Sequence, residues 1–233
     1  MFWRFYYGFD MYYLILVIPA ILFSLWAQHK VNSTFDEYSR VGTYARMTGF
    51  EAARRILDAN GLRHVSIERV SGHLSDHYDP RSNIIRLSDD VYSSTSISAI
   101  GVAAHEAGHA VQYAEHYAPI KWRAAVLPVC QIGSTMSWPM IMLGFLFNSP
   151  NIINLGILLF ATVAVFQFVT LPVEFDASRR AVKALAVSGS VTDDELYGVE
   201  RVLQAAAMTY VAALAVSLAH LLRMFLLFGQ RDD

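Results

Sequence analysis

The chain has 233 residues, of which 55% are hydrophobic, 13% aromatic and only 16% charged, and its mean hydropathy is +0.34. That balance is too apolar for an ordinary soluble domain, and a net charge of −2 gives no electrostatic footprint for nucleic acid. A single cysteine, Cys130, excludes a disulfide within the chain and any thiolate-based zinc site. A metal, if bound, must be held by histidines and carboxylates.

Four stretches are long and apolar enough to span a bilayer: Met11 to Ala27, Ala124 to Phe147, Ile152 to Val173, and Ala205 to Phe228. The first is read as a retained anchor rather than a signal peptide. Its amino flank carries Arg4 but also Asp10, and its end lacks a small-x-small cleavage pattern. Aromatics at residues 2–13 read as an interfacial belt. Pro19, Pro128 and Pro139 are tolerable inside lipid. The fourth stretch carries His220 and Arg223, which suit a bundle-facing or interfacial position.

Basic residues set an orientation. Lys30, Arg40, Arg46, Arg54 and Arg55 follow the first span, Lys121 and Arg123 precede the second, and Arg179, Arg180, Lys183 and Arg201 follow the third. The turn between the second and third spans has none. The amino terminus is therefore expected outside, with the segments 28–123 and 174–204 in the cytoplasm. In a bacterial setting this is the inner membrane.

Residues 28–48 are polar and read as a linker. Thr48 with Glu51 forms a capping box that opens a helix, and Asn60-Gly61 closes it. Residues 64–70 alternate like a strand, 71–82 read as a loop and 83–88 as a second strand. An extended substrate could add to the edge of that second strand. Ser94 or Ser96 caps the next helix, Ile97 to Ala114.

That helix holds His105-Glu106-Ala107-Gly108-His109, an H-E-x-x-H motif. Histidines at i and i+4 share a helix face and can grip one Zn²⁺, while Glu106 can hold and deprotonate a water. The flanks are apolar, and burying three polar groups among them needs a reason such as a metal. Small residues at Ala107, Gly108 and Ala110 leave room beside it.

A catalytic zinc takes three protein ligands. Glu115 is one candidate for the third, but its segment still reads as helix, so the carboxylate points away. Glu174 fits better. It follows the third span, where a membrane hairpin returns the chain to the side it left, and Pro172 suits the first turn of a new helix. Asp176 or Ser178 could orient a ligand histidine. His73, His77, Tyr78 and Arg179 are candidates to stabilise an oxyanion.

Four blocks carry a family resemblance: MTGFEAARRILDANGL (47–62), GHLSDHYDPRS (72–82), AAHEAGHAVQ (103–112) and LPVEFDASRRA (171–181). In this order they resemble the YugP-like neutral zinc metallopeptidases, small membrane proteins. The resemblance implies a gluzincin-type peptidase with His105, His109 and Glu174 as zinc ligands and Glu106 as catalytic acid/base. More distantly the chain is similar to the HtpX-type and CAAX-prenyl-protease-type membrane proteases. Those carry an Asp four residues after the ligand Glu, where this chain has Ser178, with Asp176 two residues on.

The expected fold is mainly α: a polytopic membrane protein with about four transmembrane helices and a small α+β, gluzincin-like cytoplasmic catalytic part. Its divisions are 1–28 (anchor), 29–123 (catalytic part), 124–173 (hairpin), 174–204 (segment with the third ligand) and 205–233 (last helix and tail). The expected function is a membrane-embedded zinc metalloendopeptidase with one Zn²⁺ per chain, acting on membrane-associated or unfolded proteins. The alternatives are a non-proteolytic zinc amide hydrolase, or a membrane scaffold with a structural zinc. Intact Glu106 argues against the scaffold, since a structural site has no use for that carboxylate.

Overall fold

The computed structural model describes residues 10–228. Arg4 and most of the aromatic cluster lie outside them. A short π-helical segment, Tyr13–Val17, leads into α1 (Ile18–Ser39). Then come α2 (Gly49–Ala59), β1 (Ser66–Val70), β2 (His77–Asp79), β3 (Ile84–Ser88), α3 (Asp89–Tyr92) and α4 (Ile97–Ala114). Three long helices complete the chain: α5 (Ala118–Leu146), α6 (Pro150–Ser188) and α7 (Asp193–Phe228). The protein is mainly α-helical. Four of its helical stretches, beginning at Tyr13, Ala118, Pro150 and Asp193, are long and apolar enough to cross a membrane.

Two compact units divide the described residues. One takes the chain up to Gln28, Lys121–Leu171, and everything from Thr209 on. Glycines set its packing. A Cβ on Gly133 would stand 2.5 Å from the Leu159 carbonyl oxygen, and one on Gly156 would stand 2.9 Å from that of Ser137. Small residues that let backbones approach are the usual means of joining helices where lipid removes the hydrophobic drive. Ile141, Ile153, Ile157 and Met224 form a small buried cluster. Asp10 accepts two hydrogen bonds from Arg223, at 2.9 and 2.6 Å, and one from the Tyr13 backbone at 2.8 Å. The Arg223 guanidinium lies 5.2 Å over the Tyr13 ring, and His220 packs edge-on to Tyr13 and Phe160. His220 and Arg223 are thus engaged within this bundle.

The other unit takes His29–Ile120 and Pro172–Met208. Two sequence expectations are corrected here. Residues 28–48 are not a linker throughout, because α1 runs on to Ser39. Extending an existing helix avoids the nucleation cost, and Phe35 is buried while Tyr38 packs on the core. Pro172 does not open a new helix but lies inside α6. Proline removes one backbone donor, whereas breaking the helix in apolar surroundings would strand several.

The caps stand where the sequence places them. Thr48 and Glu51 form a reciprocal capping box, and Gly61 adopts φ 73° after α2. Ser96 caps α4 by accepting from the Ala99 backbone. The loop 71–82 contains a short strand, β2, and the sheet order is β1-β3-β2. β3 runs parallel to β1, with Ile85 opposite Ile67, and antiparallel to β2, with Tyr78 opposite Ile85. Strand β3 is therefore central, and no edge of it is open to an added substrate strand. Ile85 and Leu87 share one face and are fully buried with Leu57, Val91, Ile100 and Ala103.

Overpacking a tight glycine contact typically costs about 1–3 kcal/mol. Gly133→Ala should therefore lower the thermal midpoint of the detergent-solubilised protein, followed by circular dichroism. An unchanged midpoint would mean that the helices separate freely at this contact.

Candidate metal centre

α4 and α6 meet within the second unit at a glycine. A Cβ on Gly108 would lie 2.7 Å from the Ala177 carbonyl oxygen, closer than real Cβ atoms come. Gly108 thus sets the distance between the two helices rather than only leaving room in a pocket. Its neighbours His105 and His109 face α6 one helical turn apart, and their rings meet edge to face with centroids 4.7 Å apart.

Opposite them stands Glu174. One of its oxygens, Oε2, lies 3.3 Å from His105 Nε2 and 3.5 Å from His109 Nε2. These are long for charge-assisted hydrogen bonds, which run about 2.7–2.9 Å. They match a different geometry. Zinc bonds of about 2.0–2.1 Å place the ligands of a tetrahedral site about 3.3–3.4 Å apart. The donor set of two imidazoles and one carboxylate also suits zinc, so the residues fit the ion the motif implies. Glu174 and His109 are buried, and His105 is nearly so. Glu106 is buried beside them, only 8% exposed.

The orientation of His109 is fixed by a residue that sequence reasoning missed. Gln112 is completely buried and donates through Nε2 to the Val173 carbonyl at 2.8 Å and to Asp176 Oδ2 at 2.9 Å. Two acceptors fix which end of the amide is nitrogen. Its oxygen therefore faces His109 Nδ1, 3.0 Å away, so Nδ1 must carry the proton. That leaves the Nε2 lone pair aimed at Glu174 and any ion there. Asp176 is held in turn by Arg180 Nε at 2.5 Å, and Arg180 also donates to Glu115 at 2.6 Å. The available signal for Gln112 was its position: three residues after His109, it lies on the same helix face.

Ser178 Oγ stands 3.2 Å from His105 Nδ1, where it can accept the corresponding proton. The structure thus brings His105, His109, Glu174, Ser178 and, through Gln112, Asp176 together. Glu115 is the C-cap residue of α4 and its carboxylate is turned to Arg180. The four oxyanion candidates make other contacts. His73 Nδ1 is 2.6 Å from Asp90, His77 Nδ1 is 2.8 Å from the Ser75 carbonyl, and the Tyr78 hydroxyl donates to Asn83 at 2.9 Å. Arg179 is largely exposed, 3.7 Å from Asp176.

The field at the centre favours cations. Burial by itself lowers the pKa of His109. The Glu174 contact, with the charges of Glu106 and Glu174, outweighs burial and holds the imidazole above its ordinary value. Asp76 is displaced upward, chiefly by burial and also by the charge of Glu106, although the Ser88 backbone and hydroxyl both donate to it. It ties the 71–82 loop to the start of α3. Half-buried Asp79, in contrast, is held down to about 2 by hydrogen bonds from Ser82 and the Arg81 backbone.

Comparison with known proteins places the chain in a family. Residues 13–229 match the family described as "Putative neutral zinc metallopeptidase", and the chain belongs to that family. It is 48% identical over 224 residues to "Putative membrane protease YugP" of Bacillus subtilis (strain 168), which covers 96% of this chain and all of the relative. No solved structure matches it.

Because a side chain at position 108 has no room against Ala177, Gly108→Ala should push α6 and Glu174 away from the histidines. The expected result is metal retention reduced by about tenfold or more in chelator competition, as disturbed ligand orientation produces. Retention equal to that of the unaltered chain would remove Gly108 from this role.

Proposed function

We propose that the protein is an integral membrane zinc metalloendopeptidase, hydrolysing peptide bonds of membrane-associated or unfolded proteins with one Zn²⁺ per chain. The observation that carries this reading is the convergence of His105, His109 and Glu174, whose ligand atoms lie within 4.8 Å of one another with Glu174 Oε2 at 3.3 and 3.5 Å from the two Nε2 atoms, and Glu106 buried beside them. Glu106 has no place in a purely structural site. His105, His109 and Glu174 would hold the ion. The chemistry zinc supplies when bound is Lewis acidity toward water and the scissile carbonyl.

The chain's own residues do the remaining work. Glu106 takes the proton of the attacking water and delivers it to the leaving amine. Gln112 holds the His109 imidazole in the tautomer that presents Nε2, and Ser178 can accept the corresponding proton of His105. Asp176 anchors Gln112 and is itself neutralised by Arg180. Among the oxyanion candidates, His77 and Tyr78 lie on β2, which packs on α4, and Tyr78 meets Tyr113 of that helix edge-on. The distribution of basic residues supports a cytoplasmic active site in the cytoplasmic membrane with the amino terminus outside.

The deciding experiment compares detergent-purified wild type with Glu106→Gln, measuring zinc content and cleavage of casein or of the chain itself. Equal zinc, near one per chain, with cleavage only by the wild type supports the reading. A wild type that takes up no zinc even when it is supplied would sink it. Gln112→Leu leaves Asp176, the Val173 carbonyl and His109 Nδ1 without their buried partner. It should weaken zinc binding about 10–100-fold by chelator competition, the range typical of residues that orient metal ligands. An unaltered affinity would show that His109 needs no such support.

A further inference from the structure

A second cavity, of about 610 Å³, lies between α2, α4 and α6 in the same unit as the metal centre. Its size falls in the range of small-molecule sites, about 300–1,000 Å³. It uses different faces of the shared helices. On α4 and its C-cap it is lined by Gly108, Val111 and Glu115, whereas the metal face carries His105, His109 and Gln112. None of the three candidate ligands lines it.

Two properties define what would fit. The interior is apolar, built on buried Met47, Ile56, Val111 and Leu185. The rim is cationic. Arg55, Arg179, Arg180 and Lys183 line the cavity against only two acids, Glu115 and Asp176. Arg180 is engaged by both acids. Arg179 makes only a 3.7 Å contact to Asp176, Arg55 donates to the neutral Ser190 hydroxyl, and Lys183 makes no ion pair among the described residues. Three cations are therefore available to one incoming negative charge.

We infer that this cavity binds an anionic membrane phospholipid, with the phosphate on Arg55, Arg179 and Lys183 and part of an acyl chain against the apolar interior. The course of α6 favours a lipid over an acidic peptide. The helix passes from a strongly apolar stretch directly into these cations. Arg179 and Lys183 come about 9 Å and about 15 Å beyond Val173 at 1.5 Å a residue. Headgroup zones begin where the hydrocarbon ends, and basic side chains near them select anionic lipids. An acidic peptide would satisfy the rim but leave the apolar interior unfilled. The inference stands apart from the peptidase reading and is tested without measuring cleavage.

The test is native mass spectrometry of the detergent-solubilised full chain titrated with phosphatidylglycerol, phosphatidylcholine, inorganic phosphate or a poly-glutamate peptide. The proteins are wild type, Arg179→Gln/Lys183→Gln and a control, Arg63→Gln, which alters an exposed arginine outside the cavity. Both cavity substitutions are at exposed positions. Wild type and control should hold phosphatidylglycerol in preference to phosphatidylcholine. The double variant should lose about fivefold in affinity per charge removed, roughly thirtyfold in all. Equal binding by the double variant and the control would overturn the proposal, leaving only unspecific lipid. So would phosphate binding as tightly as the phospholipid, because the interior would then contribute nothing. Preference for the peptide would reassign the cavity to a protein segment.

Discussion

The tight contact of α4 and α6, where Gly108 meets the Ala177 carbonyl, is the constraint on which the candidate site depends. Two histidines on one helix face supply only two points of a tetrahedron. The third must come from another element brought within about 3.4 Å of both. Only a position without a Cβ lets that element come near enough. Motif and packing therefore share the same five residues: His105 and His109 face Glu174 while Gly108 sets the spacing.

Burial then raises the cost of any misplaced polar group. Gln112 is completely buried and Asp176 nearly so, which is tolerable because the Gln112 amide and the Asp176 carboxylate find hydrogen-bond partners. The chain from Arg180 through Asp176 and Gln112 to His109 meets that requirement and fixes one tautomer of the imidazole. A low local dielectric makes such a network stiff when complete. The same network separates two environments. One side of the α4–α6 contact is electronegative and suits a cation, while the other carries a surplus of arginine and lysine.

Within the bundle of apolar helices a different economy operates. Packing rests on glycines that let helices touch through their backbones, and on the ion pair of Asp10 with Arg223, extended by Tyr13 and His220. Charges in such segments persist when paired. Asp10 and Arg223 lie at opposite ends of the sequence, so their pair closes the bundle in a way that neither residue announces alone.

Local chemistry was legible in the sequence by itself. The histidine spacing needs only the helical repeat, and the caps at Thr48 and Ser96 need only their own turn. The four apolar helices follow from composition over a window of residues. Glu174 was legible through the hairpin argument and the family resemblance. Tertiary structure decided what depends on contacts between distant residues. It made Gln112 a partner of His109, because the second and third partners of that amide come from α6. It carried α1 on to Ser39, because Phe35 finds a core there that its polar neighbours do not reveal. It put β3 in the middle of the sheet, because β2 is too short to register as a strand by alternation. Periodicity reports what one segment does along its own axis, and which surfaces meet is settled only when several segments bury them together.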